Sequence, residues 1–372
     1  MDRTRRLLAA IVLVSLAMAA CSPAAQHPWT WPPADGTGSD QLATAHPTEA
    51  PTGSTGPISV DLRPDPNAPF YVLRDPKAPA RLAGTTHDID LYVDERFITV
   101  AEGLVREVWA FGGTVPGPVI RVEVGDTIRI HLTNRPPKLP GRAAWMHPAV
   151  NDHSHSVEFH GSTGASSDEV TSTKPGAKGV YEFKAEHAGV WIYACGTEPV
   201  LEHLANGMYG MVIVEPEGGL DEVDQEFFFV QSEWYLGGPN RSASLSKASS
   251  EVPTPDFVVL NGIADQYEDH PIQVETGRRV RAFILDAGPR LGSSFRVVGT
   301  TFNRVEKDGI ELEAGDEGNW GSRTVDLSPG HGAMVEFTLA EDGLYPIETN
   351  ALDVVGRETL GLFQAGDGDP FN

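Results

Sequence analysis

A thiol, an imidazole and a thioether fall in one short stretch, Cys195-Gly196-Thr197-Glu198-Pro199-Val200-Leu201-Glu202-His203-Leu204-Ala205-Asn206-Gly207-Met208. A thiolate and two imidazoles in a trigonal plane, with a weak axial thioether, are the donors of a blue-copper electron-transfer site, a set that suits a soft one-electron metal. The stretch supplies three of those four donors. The fourth is expected upstream, where Asp152-His153-Ser154-His155-Ser156-Val157-Glu158-Phe159-His160-Gly161 places several imidazoles in a strand-like run. A lone Cys is ordinarily a small buried hydrophobe, and a nearby Met core filler. Donors of the right types in the right order favour copper over zinc or an empty site.

The elements that must hold these residues read as β-strands. Runs at 119–124, 127–132, 179–185 and 211–214 alternate or are continuously apolar and are punctuated by Gly, Pro or Asn-Arg-Pro. A second series at 227–230, 257–260, 280–285, 295–298 and 334–339 repeats the texture beyond an acidic, turn-rich break at Glu215-Pro216-Glu217-Gly218-Gly219. No long amphipathic helical pattern competes. The expected fold is all-β, two antiparallel sandwiches in tandem.

Strand parity then separates the histidines. Side chains of successive strand residues point to opposite faces, so His155 and His160 are expected to face opposite ways, as are the adjacent Ala194 and Cys195. Two different sites are implied. One can look inward at Cys195, and position 194 is where the other would draw a further ligand.

The beginning of the chain has a separate logic. A basic head, Met1-Asp2-Arg3-Thr4-Arg5-Arg6, precedes an apolar run from Leu7 to Ala20 that is short for a membrane span, and Ala19-Ala20-Cys21 follows. Residues 1–20 are read as a signal peptide. Cys21 resembles the acylated cysteine of the bacterial lipoprotein motif, with Met18 where Leu is usual. With Cys21 assigned to lipid and Cys195 to metal, neither of the two cysteines is left for a disulfide. Residues 21–58, rich in Pro, Gly, Thr, Ser and Ala, are expected to be a disordered tether reaching on the order of 100 Å from a membrane. The expected location is the bacterial cell envelope, outside the cytoplasm. The formal net charge is −24, and setting aside the three Arg and one Asp of residues 1–20 makes it −26. That argues against nucleic acid and favours a redox partner with a basic surface, although a solvated exterior explains it equally.

Phe111-Gly112-Gly113-Thr114-Val115-Pro116-Gly117-Pro118, through Gly125-Asp126, resembles the first-domain signature of multicopper oxidases. His155 to Gly164 and Cys195 to Pro216, including Asn206-Gly207-Met208-Tyr209-Gly210, are similar to two-domain copper nitrite reductases. So are Leu260-Asn261-Gly262, Gly288-Pro289 and Ser293-Ser294-Phe295, and the likeness spans roughly residues 85 to 366. It implies two cupredoxin-like Greek-key sandwiches, domain 1 over 59–217 with a type 1 copper and domain 2 over 218–372 with no copper site of its own. It also implies a possible homotrimer. In such enzymes the type 1 copper passes an electron to a type 2 copper between subunits, where nitrite becomes nitric oxide.

Carried over residue by residue, the resemblance assigns His155, Cys195, His203 and Met208 to type 1 copper. The type 2 set keeps only His160. Position 194 is Ala, and the position expected to supply a third His is Asn350. The family's active-site Asp falls at Glu158, and its proton-donating His falls at Arg296, which does not release a proton near neutrality. A laccase-like trinuclear cluster needs several His-x-His pairs, and only His153-Ser154-His155 has that spacing.

The resulting expectation is one type 1 copper that shuttles single electrons, with His203 as the electron port and Met208 tuning the potential. Asn206 and Thr197 are expected to hydrogen-bond the thiolate, with Phe159 and Trp191 packed nearby. The alternatives are a nitrite reductase or other copper oxidoreductase that rebuilds a second centre from His160 and Glu158, and a copper capture or delivery protein. His131, His147, His187, His270 and His331 are read as surface histidines. His153 shares the parity of His155 and could serve a nearby surface metal.

Overall fold

A computed structural model of the chain describes residues 73–136, 151–163, 171–238, 242–312, 321–349 and 359–367. The expected signal peptide, Cys21, the tether, His147 and Asn350 lie outside them. The body from Pro57 onward is one compact unit.

Among the described residues the first half forms β1 (Thr86–Ala101), β2 (Leu104–Phe111), β3 (Ile120–Glu123), β4 (Thr127–Asn134), β5 (Glu158–Phe159), β6 (Lys178–Lys184), β7 (Gly189–Ala194), α1 (Val200–Ala205) and β8 (Tyr209–Glu215). The second half forms β9 (Gln225–Trp234), α2 (Leu245–Ala248), β10 (Phe257–Leu260), α3 (Gln266–Asp269), β11 (Ile272–Val274), β12 (Arg279–Gly288) and β13 (Ser293–Val297). It continues with β14 (Arg304–Lys307), β15 (Ile310–Glu311), β16 (Val325–Leu327), β17 (Gly332–Thr338), β18 (Gly343–Thr349) and β19 (Thr359–Ala365). The nine strand runs expected in the two series are present, with ends shifted by a few residues.

Two sandwiches result. Sheets β2-β1-β4-β6 and β3-β8-β7-β5 make the first, and sheets β10-β9-β12-β17-β14-β15 and β11-β19-β18-β13-β16 the second. β4 shows the alternation of a half-buried strand, turning Ile128, Ile130 and Leu132 inward and Thr127, Arg129 and His131 outward. β8 is buried at every position, which its continuous apolar run anticipates. The reason is that its sheet is an inner layer. On one face Val212 and Val214 of β8, with Tyr193 of β7, join the interior of the first sandwich. On the other face Met211 and Ile213 of β8, with Val190, Ile192 and Ala194 of β7, pack against Trp234, Phe283, Leu285 and Met334 of the second sandwich.

β1 was not anticipated, because it serves two partners. Its first half runs parallel to β4 from Thr86↔Thr127, and its second half runs antiparallel to β2 from Val93↔Phe111. The Gly125-Asp126 pair explains the join. Asp126 accepts hydrogen bonds from the Glu123 backbone N–H at 3.0 Å and from buried His87 at 2.8 Å, which ties the turn before β4 to the start of β1.

A charged lattice crosses the seam between sandwiches. Arg121 of β3 bonds Glu215 of β8 at 2.6 Å and Glu226 of β9 at 2.6 Å, with its guanidinium 5.1 Å from the centre of the Phe283 ring. Glu226 also accepts from Arg281 of β12 at 2.7 Å, and Arg281 bonds Glu336 of β17 at 2.6 Å. Arg281 and Glu336 are each 1% exposed, so neither charge has water as an alternative partner. Removing one member of a buried pair strands the other. Replacing Arg281 by Met should lower unfolding stability by about 3 kcal/mol, the low end of the usual range because Arg279 still serves Glu336 and Arg121 still serves Glu226. The urea midpoint would measure it.

Candidate metal centre

The β7–β8 hairpin builds the loop that carries three of the four expected donors. Its last antiparallel pair is Ala194↔Tyr209, and the next rung is the Cys195 N–H donating to the Met208 carbonyl at 3.1 Å. Met208 N–H in turn donates to the His203 carbonyl at 3.1 Å. Cys195 and Met208 therefore face each other at the loop's mouth, and α1 delivers His203 between them. Asn206 ends that helix, its side-chain amide donating to the Glu202 carbonyl at 2.9 Å. Gly207 follows at φ +104°, where a Cβ would lie 2.6 Å from a methyl of Val115, so only glycine fits the close approach of loop to barrel wall.

His155 arrives from a separate segment. Only Glu158–Phe159 of the expected strand-like run is a strand, and His155 is fixed by a two-way backbone bridge with Thr173. Asn134 at the end of β4 clamps this bridge, donating to the carbonyls of His153 at 2.9 Å and Thr173 at 2.8 Å.

The donors converge. His155, Cys195 and His203 bring their ligand atoms within 4.8 Å of one another. His203 Nδ1 lies 3.2 Å from both Cys195 Sγ and His155 Nδ1. His155, Cys195 and Met208 are fully buried, and Met208 and Cys195 share one apolar cluster with Trp109, Val157 and Phe159. Burial alone would push the Cys195 thiol up, but the two imidazoles hold it well below the ordinary thiol range. Two ring nitrogens and a sulfur aimed at one dry point, with the sulfur favoured as thiolate, fit a soft transition metal. A copper ion there would be held by His155, Cys195 and His203.

The surroundings differ from expectation in several ways. The thiolate receives the Ser156 backbone N–H at 3.3 Å, and neither Asn206 nor Thr197 reaches it among the described hydrogen bonds. Thr197 donates instead to the Ser156 hydroxyl, and the Asn206 side-chain Oδ1 accepts from Ala243 N–H. Phe159 packs in the site's apolar cluster, with Trp191 partly buried against it. His203 is only 3% exposed, with Trp109, His155 and Cys195 against its ring, so it lies beneath the surface rather than on it.

Two residues that sequence reasoning missed stand closest to the imidazoles. Trp109 of β2 lies edge-on to His155 and His203, with ring centres 5.6 and 4.9 Å away, and against exposed His153 at 4.2 Å. Opposite it in β1 is Glu95, fully buried, which accepts from His153 N–H at 3.0 Å and sits 3.4 Å from His155 Nε2. Burial would raise the Glu95 carboxyl, but His153 and His155 outweigh it and hold it down at about 2. The adjacent acidic pair Asp94-Glu95 gave no sign that both residues are buried.

The second expected site is sparse. His160 is exposed, as parity requires, with Glu158 Oε1 3.6 Å from its Nε2. Ala194 points to the opposite face from Cys195, into the apolar seam with the second sandwich, and is paired with Glu158 across β5 and β7. Arg296 pairs with Glu348 at 3.4 Å. Among the described residues His160 has no second imidazole beside it in any metal-competent group. These residues do not fit a second tightly held copper. Exposed Asp152 and His153 form one further group with Glu95. His131 and His331 pair at the surface with Asp88 and Asp308, and His187 and His270 are exposed.

Comparison with known proteins agrees with this architecture. Residues 93–219 match the multicopper oxidase family model. Over 357 residues the chain is 32% identical to the copper-containing nitrite reductases of Neisseria meningitidis serogroup B and Neisseria gonorrhoeae, covering 94% of this chain and 84% of each relative. The solved copper nitrite reductase of Nitrosomonas europaea superposes with a TM-score of 0.64 at 25% identity, over 77% of this chain and 96% of that one. A blue copper oxidase from the same organism shares the fold with a TM-score of 0.60 at 24% identity, over 77% of this chain and 89% of its own. Identity at that level across most of both chains, on a matching two-sandwich fold with a converged His, Cys and His, makes this chain a member of the copper-containing nitrite reductase family.

Proposed function

We propose that this protein carries single electrons through one type 1 copper and that nitrite reduction by a second copper is not its activity. The observation that carries the reading is the contrast across β7. Cys195 faces the imidazoles of His155 and His203, whereas Ala194, one residue earlier, puts a methyl group into an apolar seam where a second site would need an imidazole.

Copper bound by His155, Cys195 and His203 supplies a one-electron couple. The chain's own residues do the rest. The hairpin rung between Cys195 and Met208 fixes the backbones that carry the thiolate and the thioether, which limits reorganisation on a change of charge. The Ser156 N–H stabilises negative charge on sulfur, and the enclosing Trp109, Val157 and Phe159 keep water away. Met208 is proposed as the weak axial donor that tunes the potential. The same reading takes Cys21 as a lipid anchor and residues 21–58 as a tether in the bacterial envelope, with a basic redox protein as partner and a homotrimer as the assembly.

Family membership favours a second reading, a working nitrite reductase in which His160 and Glu158 help rebuild a second centre. Metal counting separates the two. The purified, fully loaded protein should hold one copper per chain with the hyperfine pattern of a thiolate site and should not consume nitrite. Two coppers with nitric oxide formation would establish the second reading. Replacing Cys195 by Ser should abolish the intense visible absorption while leaving the fold intact by circular dichroism, and colour that survives would mean that the ligand set is wrong.

A further inference from the structure

We propose that Glu95 is a positioning residue for the copper site, a buried anionic brace that orients the ligand imidazole of His155 and lowers the reduction potential of the bound metal. The inference rests on the type 1 reading given above.

His155 turns Nδ1 toward Cys195 and His203, which leaves Nε2 as its outward nitrogen. That nitrogen is buried and has no hydrogen-bond partner other than the Glu95 carboxylate, whose Oε1 lies 3.4 Å away. The second oxygen, Oε2, is buried and unpartnered as well. Each group is thus the other's remaining partner. A ligand imidazole whose outer N–H meets a carboxylate has its tautomer and ring plane fixed and becomes a stronger donor.

The position is built by the fold. Glu95 sits opposite Trp109 across β1 and β2, and the Asn151 side chain accepts the Glu95 backbone N–H at 2.9 Å. On the solvent side His153 closes the carboxylate in, its backbone N–H at 3.0 Å and Nδ1 at 3.1 Å from Oε1, its ring against Trp109. Burying a carboxylate costs several kcal/mol unless it is well paired. A neutral amide would accept from His153 equally well, so the charge itself has work to do. Buried, and next to the outward nitrogen of His155, it would favour the oxidised over the reduced form of an ion held by that imidazole.

The test uses the full, copper-loaded chain and spectroelectrochemistry. Glu95→Gln should keep the thiolate-to-copper absorption and raise the midpoint potential enough to change the Cu(I) to Cu(II) ratio at least tenfold at fixed applied potential, about 59 mV for one electron. His153→Phe keeps a ring against Trp109 but takes a donor from the carboxylate, and it should shift the potential the other way by less. A merely structural role would move both variants in the same direction. That outcome, or an unmoved potential in Glu95→Gln, overturns the proposal. So does a second metal ion present in the parent protein and lost in Glu95→Gln, since Glu95 would then be a ligand. If Glu95→Gln does not load copper, His153→Phe decides alone, a fall supporting the brace and no change or a rise refuting it. Absence of the thiolate absorption in the unaltered protein would instead bring down the type 1 reading.

Discussion

One backbone hydrogen bond, from Cys195 N–H to the Met208 carbonyl, sets the geometry on which the rest depends. It extends the β7–β8 ladder by one rung and fixes both ends of the metal-binding loop to a sheet. Because that sheet is an inner layer, its two faces have different fates. Every residue in register with Cys195 looks into the first sandwich, and every residue in register with Ala194 looks at the second. The alternation of a strand thereby decides which side chains can be ligands and which must be packing. An apolar residue at 194 satisfies the seam fully, and the sheet loses nothing by lacking a donor there.

The charged groups around the site form a graded series from interior to solvent. Cys195 is kept toward thiolate by two imidazoles, His155 is backed by Glu95, and Glu95 is backed by His153, which is raised above the ordinary histidine range chiefly by its hydrogen bond to Glu95. Each charge is paired with the next, so none is stranded in the apolar interior. Trp109 lies against all three imidazoles of the series.

The metal-binding loop was legible because its chemistry is local. Cys195, His203 and Met208 lie on one hairpin, and their order alone specifies a soft-metal site. The fold class was equally legible, since β4 alternates cleanly and β8 is continuously apolar. What could not be read depends on pairings distant in sequence. Glu95 and Trp109 meet only through the register of β1 and β2, and an acidic residue in an amphipathic strand reads as surface unless that register is known. The burial of His203 was missed for the same reason, since the ring packed against it is Trp109 of β2, distant in sequence. Local sequence gave the donors, and tertiary pairing gave their environment.

The seam between the sandwiches also bears on how this architecture can change. The second half supplies the roof over α1 and the opposite wall for Met211 and Ile213, and it carries Glu226, a counter-charge of Arg121. A shortened descendant ending after Glu215 would bare a greasy sheet and leave Arg121 with Glu215 but without Glu226. Such a protein could not become a small one-domain carrier merely by deletion. Its inner face would first have to be rewritten with polar residues, so the first sandwich is physically bound to keep the second.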